Sequence, residues 1–88
     1  MNWDPKTEEK FKNVISKLPI FHRHFAQSAV SVKAQENAQT RKAAQVEEED
    51  VIAAFFSDVP PAFYSMMIRL LEQTGFDYKK YGFPKRGQ

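Results

Sequence analysis

Phe11, Val14, Ile15 and Leu18 follow one another at intervals of three, one and three, which is the spacing of one helical face. Lys6, Lys10, Lys12 and Lys17 take the other sides. Asp4-Pro5 stands ahead of them, a good N-cap followed by a proline where its missing N–H costs nothing. Pro19 closes the run, because the residue before a proline avoids the helical region. A first helix is therefore predicted from Asp4-Pro5 to Pro19. A second is predicted from Phe21 to Lys42, with a narrow stripe of Phe25, Ala26, Ala29, Val30, Ala34 and Ala38. Most of that stripe is small, which lets another helix approach closely, and alanine adds intrinsic propensity. Residues 43–46 form the connection. Glu47-Glu48-Glu49-Asp50 then precede Val51-Ile52-Ala53-Ala54-Phe55-Phe56, and carboxylates in a first turn complement the positive end of a helix.

Asp58-Val59-Pro60-Pro61 stops the third helix and starts a fourth. From Phe63 to Thr74 the chain reads as apolar on almost every side, and such a helix needs cover on every side. Gly75 sits where a left-handed C-terminal cap is wanted, with Phe76 placed to pack back on the last turn. Tyr78 to Phe83 reads as a short helical turn and an aromatic strap. The expected fold is all-α, a small bundle of about four helices ending in that strap. Residues 1–83 form one domain and 84–88 a flexible basic tail.

Composition narrows the function classes. A chain of 88 residues holds one domain, and 42% hydrophobic residues with a net charge of +2 is too apolar and too weakly charged for disorder. With no cysteine, a disulfide scaffold, an iron–sulfur ligand set and a thiol nucleophile are excluded, and two histidines alone make a poor zinc site. All three glycines lie at or beyond position 75, so neither glycine-rich phosphate loop is present. No run reaches the roughly 18–20 apolar residues that span a bilayer. The N-terminal stretch carries Asp4, Glu8 and Glu9 and lacks the apolar core of a signal peptide, so a cytoplasmic location is expected. Charge is segregated: residues 1–45 carry +4, residues 46–76 carry −5 and residues 77–88 carry +3.

Few residues suggest chemistry. His22 and His24, two apart on a helix, point about 200° from each other and do not share a face. Four consecutive carboxylates likewise diverge and mark a helix start rather than an ion site. Ser28, Ser31 and Ser65 have no histidine and acid grouped near them in sequence, and Tyr64, Tyr78 and Tyr81 read as half-buried aromatics. Phe63, Met66, Met67 and Leu70 form the candidate interaction face, since methionine adapts to irregular partners. Arg41, Lys42, Lys79 and Lys80 form the candidate nucleic-acid-binding set, the second pair interleaved with Tyr78 and Tyr81.

Trp3-Asp4-Pro5, then Leu18-Pro19-Ile20-Phe21-His22-Arg23, then Glu36-Asn37-Ala38, then Val46 and Glu49-Asp50-Val51 together resemble the protochlorophyllide reductase C-terminal domain family. The resemblance covers roughly residues 3–56. It departs in a longer Trp-to-Pro stretch, in the absence of a glycine after the second helix and in the added helix and strap. In that family the small helical domain ends the B subunit of the light-independent reductase, packs against its nitrogenase-like part, and also occurs as short stand-alone proteins. The resemblance implies an accessory and no transfer of the reductase activity. The expectation is a non-enzymatic module without a cofactor, working through a protein partner or a weak homodimer. A histone-like nucleic-acid-binding module is the alternative, and a tetrapyrrole carrier using His22 or His24 a third reading.

Overall fold

The computed structural model describes residues 1–85, with α1 at Pro5–Ser16, α2 at Ile20–Thr40, α3 at Glu48–Asp58 and α4 at Tyr64–Gln73. Short 3-10 turns at Pro61–Phe63 and Tyr78–Tyr81 precede and follow α4. The protein is all-α, and among the described residues there is no strand, only an isolated parallel bridge between Trp3 and Val46. In that bridge the Val46 amide donates to the Asn2 carbonyl at 2.8 Å and the Asp4 amide donates to the Val46 carbonyl at 2.9 Å.

α1 begins as its sequence predicts. The Asp4 carboxylate caps it, accepting from the Thr7 amide at 3.0 Å and the Thr7 hydroxyl at 2.9 Å. These two bonds hold the Asp4 carboxyl below the usual carboxylate range. The helix ends earlier than expected, at Ser16, and Pro19 instead serves as the N-cap of α2. Arg23 explains how so tight a corner is tolerated. Its guanidinium donates to the Leu18 carbonyl and the Ser16 carbonyl, both at 2.9 Å, satisfying acceptors that the end of α1 leaves open.

α2 supplies the long wall of the domain, and α3 packs along it. Val30, Ala34 and Ala38 are buried there, as the small-residue stripe implies. Phe25 is not: it turns to solvent with 75% of its surface exposed. α2 also stops at Thr40, two residues short of the expected end, with Arg41 as its C-cap and Lys42 in the left-handed region at φ 60°. Lys42 occupies the kind of position that glycine fills at other helix ends.

α3 is the central helix. Val51, Ile52, Ala54, Phe55 and Phe56 are all buried, and its first turn holds the acidic run. The Glu47 side chain and the Asp50 side chain form a reciprocal capping box, with the Glu47 amide donating to Asp50 Oδ2 at 2.9 Å. Around α3 the aromatic rings form two sets, one centred on Phe55 and one on Phe56. Phe55 lies 6.0 Å from Phe11 and 6.4 Å from Phe76, and Phe11 lies 5.2 Å from Trp3. Phe56 stacks on Phe83 at 5.1 Å and meets Tyr64 edge-on at 5.3 Å.

α4 corrects the sequence reading. It is one-sided rather than apolar all round: Met67, Leu70 and Leu71 are buried, while Ser65, Arg69, Glu72 and Gln73 face solvent. It ends as predicted. Gly75 takes φ 89°, the Phe76 amide donates to the Leu71 carbonyl at 2.9 Å, and Phe76 is buried. The strap then crosses back over α3, with Tyr78 and Phe83 buried. Of the expected tail, Pro84 and Lys85 are exposed, with the Lys85 ammonium 4.9 Å above the Phe83 ring, and 86–88 lie outside the described residues. Among the described residues, no single helix is long and apolar enough to cross a membrane.

Candidate functional site

An apolar groove lies between the start of α2 and the α3–α4 turn. Its volume is about 350 Å³. Leu18, Phe25 and Ala29 line one side, and Val59, Phe63 and Met66 the other. Val14, Val30, Phe55, Met67 and Leu70 also line the groove, and their burial makes them its floor. The four candidate interaction residues therefore meet in one place but divide in role. Phe63 and Met66 are 53% and 41% exposed and offer the accessible apolar surface. Met67 and Leu70 belong to the core beneath.

Exposed apolar residues on α2 reach beyond the groove, of whose edge only Phe25 among them is part. Ile20, Phe21, Phe25 and Val32 are exposed, Phe21 at 91%. A signal was present in the sequence: Phe21 and Phe25 are four apart, a helical neighbour spacing, and Phe25 lies away from the Val30–Ala34–Ala38 stripe. Polar groups at the groove are sparse. His22 and Asp58 are the ionisable side chains that line it. Among the described residues no group of three or more His, Cys, Asp or Glu side chains is placed to hold a metal ion.

The basic set is divided. Arg41 is already engaged: its Nε donates to Asp50 Oδ1 at 2.8 Å and its Nη2 to Asp50 Oδ2 at 2.7 Å, with Glu49 Oε1 3.1 Å from Nη1. The Asp50 carboxylate, 1% exposed, raises the Arg41 pKa further above its already high value. Asn37 completes the junction by donating to the Asp50 carbonyl at 3.0 Å. Lys42 is exposed at the end of α2, and Lys79 and Lys80 are exposed on the last 3-10 turn. Lys79 lies 6.0 Å from the Tyr78 ring and Lys80 5.5 Å from the Tyr81 ring. Tyr78 is a structural aromatic. Its hydroxyl donates to Glu72 Oε2 at 3.2 Å, and burial together with that carboxylate pushes its pKa up. Tyr64 donates to the Phe56 carbonyl.

Fold and groove together define a class, a small all-α domain with an apolar groove at one helix corner. No family model, curated protein or solved structure matches the chain.

Proposed function

We propose that the chain is a non-catalytic helical interaction module, an accessory that acts by docking on another protein. The observation that carries this reading is the groove, with Phe25, Phe63 and Met66 exposed at its edge. Burying one such side chain is worth about 1.5–3 kcal/mol, so three together sustain binding after the costs of association. The sparseness of ionisable groups at the groove favours an apolar partner surface over a reaction.

The accessory role takes its partner class from the resemblance to the protochlorophyllide reductase C-terminal domain. The residues that carry it serve as framework here: Trp3 and Val46 pair, Arg23 ties α2 to α1, and Asp50 ties α3 to α2. That division of labour favours a packing module, with its motif side chains spent on holding helices. The partner implied is a nitrogenase-like reductase complex. Calorimetric titration of such a complex with the purified chain tests it. Saturable binding that is lost in Phe63→Glu and Met66→Glu is expected, and no binding by the wild type overturns this partner. Nucleic-acid binding ranks second because Arg41 is held by Asp50, which leaves Lys42, Lys79 and Lys80. Heparin retention that falls steeply with salt would reverse that order.

A further inference from the structure

α2 carries two apolar stripes on opposed sides. Val30, Ala34 and Ala38 face the core, while Phe21, Phe25 and Val32 are exposed. Phe25 and Ala34 are nine residues apart and so point about 180° from each other. Along the outer stripe runs a shallow furrow of about 420 Å³, lined by Phe25, Ser28, Ala29, Val32, Lys33 and Glu36 with Asp58 at its flank. Those six α2 positions make two overlapping squares with spacing i, i+3, i+4, i+7. One is Phe25, Ser28, Ala29 and Val32; the other is Ala29, Val32, Lys33 and Glu36. Such a square is the hole that receives a knob from a facing helix.

We propose that this furrow is covered by a second copy of the chain, with the two α2 helices antiparallel and each Phe25 seated in the square of Ala29, Val32, Lys33 and Glu36 on the other copy. The proposal rests on the interaction reading above and extends it to a second face that shares Phe25 with the groove. Three features select a second copy. First, the register closes on itself. Midway between Phe25 and the centre of that square lie Ser28 and Ala29, so one two-fold axis seats both phenylalanines, as an isologous interface requires. The two small side chains fall at the crossing and let the helices approach.

Second, charge is complementary. α2 begins on Pro19 with no side-chain cap and no acidic residue in its first turn. The antiparallel register brings Glu36 of the other copy to that turn, beside His22, and supplies the negative charge that a helix start favours. It also lays the Lys33 stem along the incoming Phe25 ring. Third, the area suits a weak dimer. Phe21 and Phe25 from two copies bury roughly 600 Å². Val32, Ala29 and the Lys33 stems, which share the outer stripe with Phe25, extend this toward the roughly 1,200 Å² at the lower end of stable specific interfaces.

The chain has no cysteine, so Ser28→Cys introduces a single thiol at the crossing. With a short bifunctional maleimide, Ser28→Cys is expected to give a covalent dimer, whereas Ser65→Cys, exposed on α4, is expected to stay monomeric. Sedimentation equilibrium of the wild type up to about 1 mM is expected to show a monomer–dimer equilibrium. Phe25→Glu should raise its dissociation constant at least about 30-fold with the helical circular dichroism unchanged, and Met66→Glu should leave it unaltered. A wild type that stays monomeric at about 1 mM, dimerisation undiminished in Phe25→Glu, or equal cross-linking through Ser65→Cys overturns the proposal. If the wild type is monomeric yet binds a reductase complex through Met66, the second copy falls and the interaction reading stands. If neither association occurs, both fall.

Discussion

Replacing Arg41 with alanine isolates the junction between α2 and α3. In the native protein the Asp50 carboxylate is 1% exposed and accepts both guanidinium bonds, 2.8 Å and 2.7 Å, as well as the Glu47 amide at 2.9 Å. Without Arg41 the carboxylate stays buried with its amide bond alone. Removing one partner of a fully buried pair costs about 3–5 kcal/mol. The Arg41 side chain is 37% exposed, so solvent already screens this pair and a smaller loss is expected, about 2–3 kcal/mol. For a domain of this size that lowers Tm by roughly 10–20 °C. Asp50→Asn is milder. It keeps the volume and one acceptor for the Glu47 amide, and Arg41 returns to water, so a cost of about 1–2 kcal/mol is expected. The double variant should then be less destabilised than the two singles combined, by about 1–2 kcal/mol of coupling. Urea denaturation followed by the fluorescence of Trp3, the single tryptophan, measures all three. A loss under about 0.5 kcal/mol in Arg41→Ala, or strict additivity, would show that water replaces the guanidinium and that the junction is not an ion-paired unit.

Phe83→Ala should cost about 3 kcal/mol in urea denaturation, because it removes the ring stacked on Phe56 at 5.1 Å and frees the strap from α3. Asp4→Ala probes the cap of α1 through pH. The folded Asp4 carboxyl lies below its unfolded value of 3.8, so its contribution is full above that value and is lost as pH falls through the folded one. Wild-type stability should therefore decline more steeply than that of Asp4→Ala on acidification below about pH 5, measured by thermal melts; parallel curves would refute the assignment.

Local chemistry made much of this fold legible. Asp4-Pro5 announced α1, the run from Glu47 to Asp50 announced α3, and Gly75-Phe76 announced the end of α4, because caps act within a few residues of the positions they name. Other features depend on partners distant in sequence. The burial of Asp50 rests on Arg41, delivered by the intervening connection, and nothing in the acidic run singles that carboxylate out. The Trp3–Val46 bridge shows no alternation to betray it. Phe25 was assigned to the small-residue stripe because a helix with two apolar faces looks, in one dimension, like a helix with one broad face. The same counting made α4 too apolar, since Ser65, Arg69, Glu72 and Gln73 were outweighed by their neighbours. Phe63, Met66, Met67 and Leu70 read in sequence as one face, and only the position of α3 divides them into exposed Phe63 and Met66 and buried Met67 and Leu70.

The bridge at Trp3 fastens the opening of the polypeptide to the far side of α2, so α1 and α2 form a closed ring clasped at residues 3 and 46. The strap is held separately, on the opposite stretch of α3 at Phe56. The molecule thus has two fastenings, one at the connection before α3 and one on α3 itself, and Glu48 joins them by accepting from Lys10 Nζ at 2.6 Å and from the Asp77 amide at 3.2 Å. Opening the clasp leaves α1 held by Phe11, Val14 and Ile15 in the core, and peeling the strap away bares Phe56 and leaves the ring shut. The amides of Asp4 and Val46, far apart along the chain, share the clasp and open to solvent in a single event.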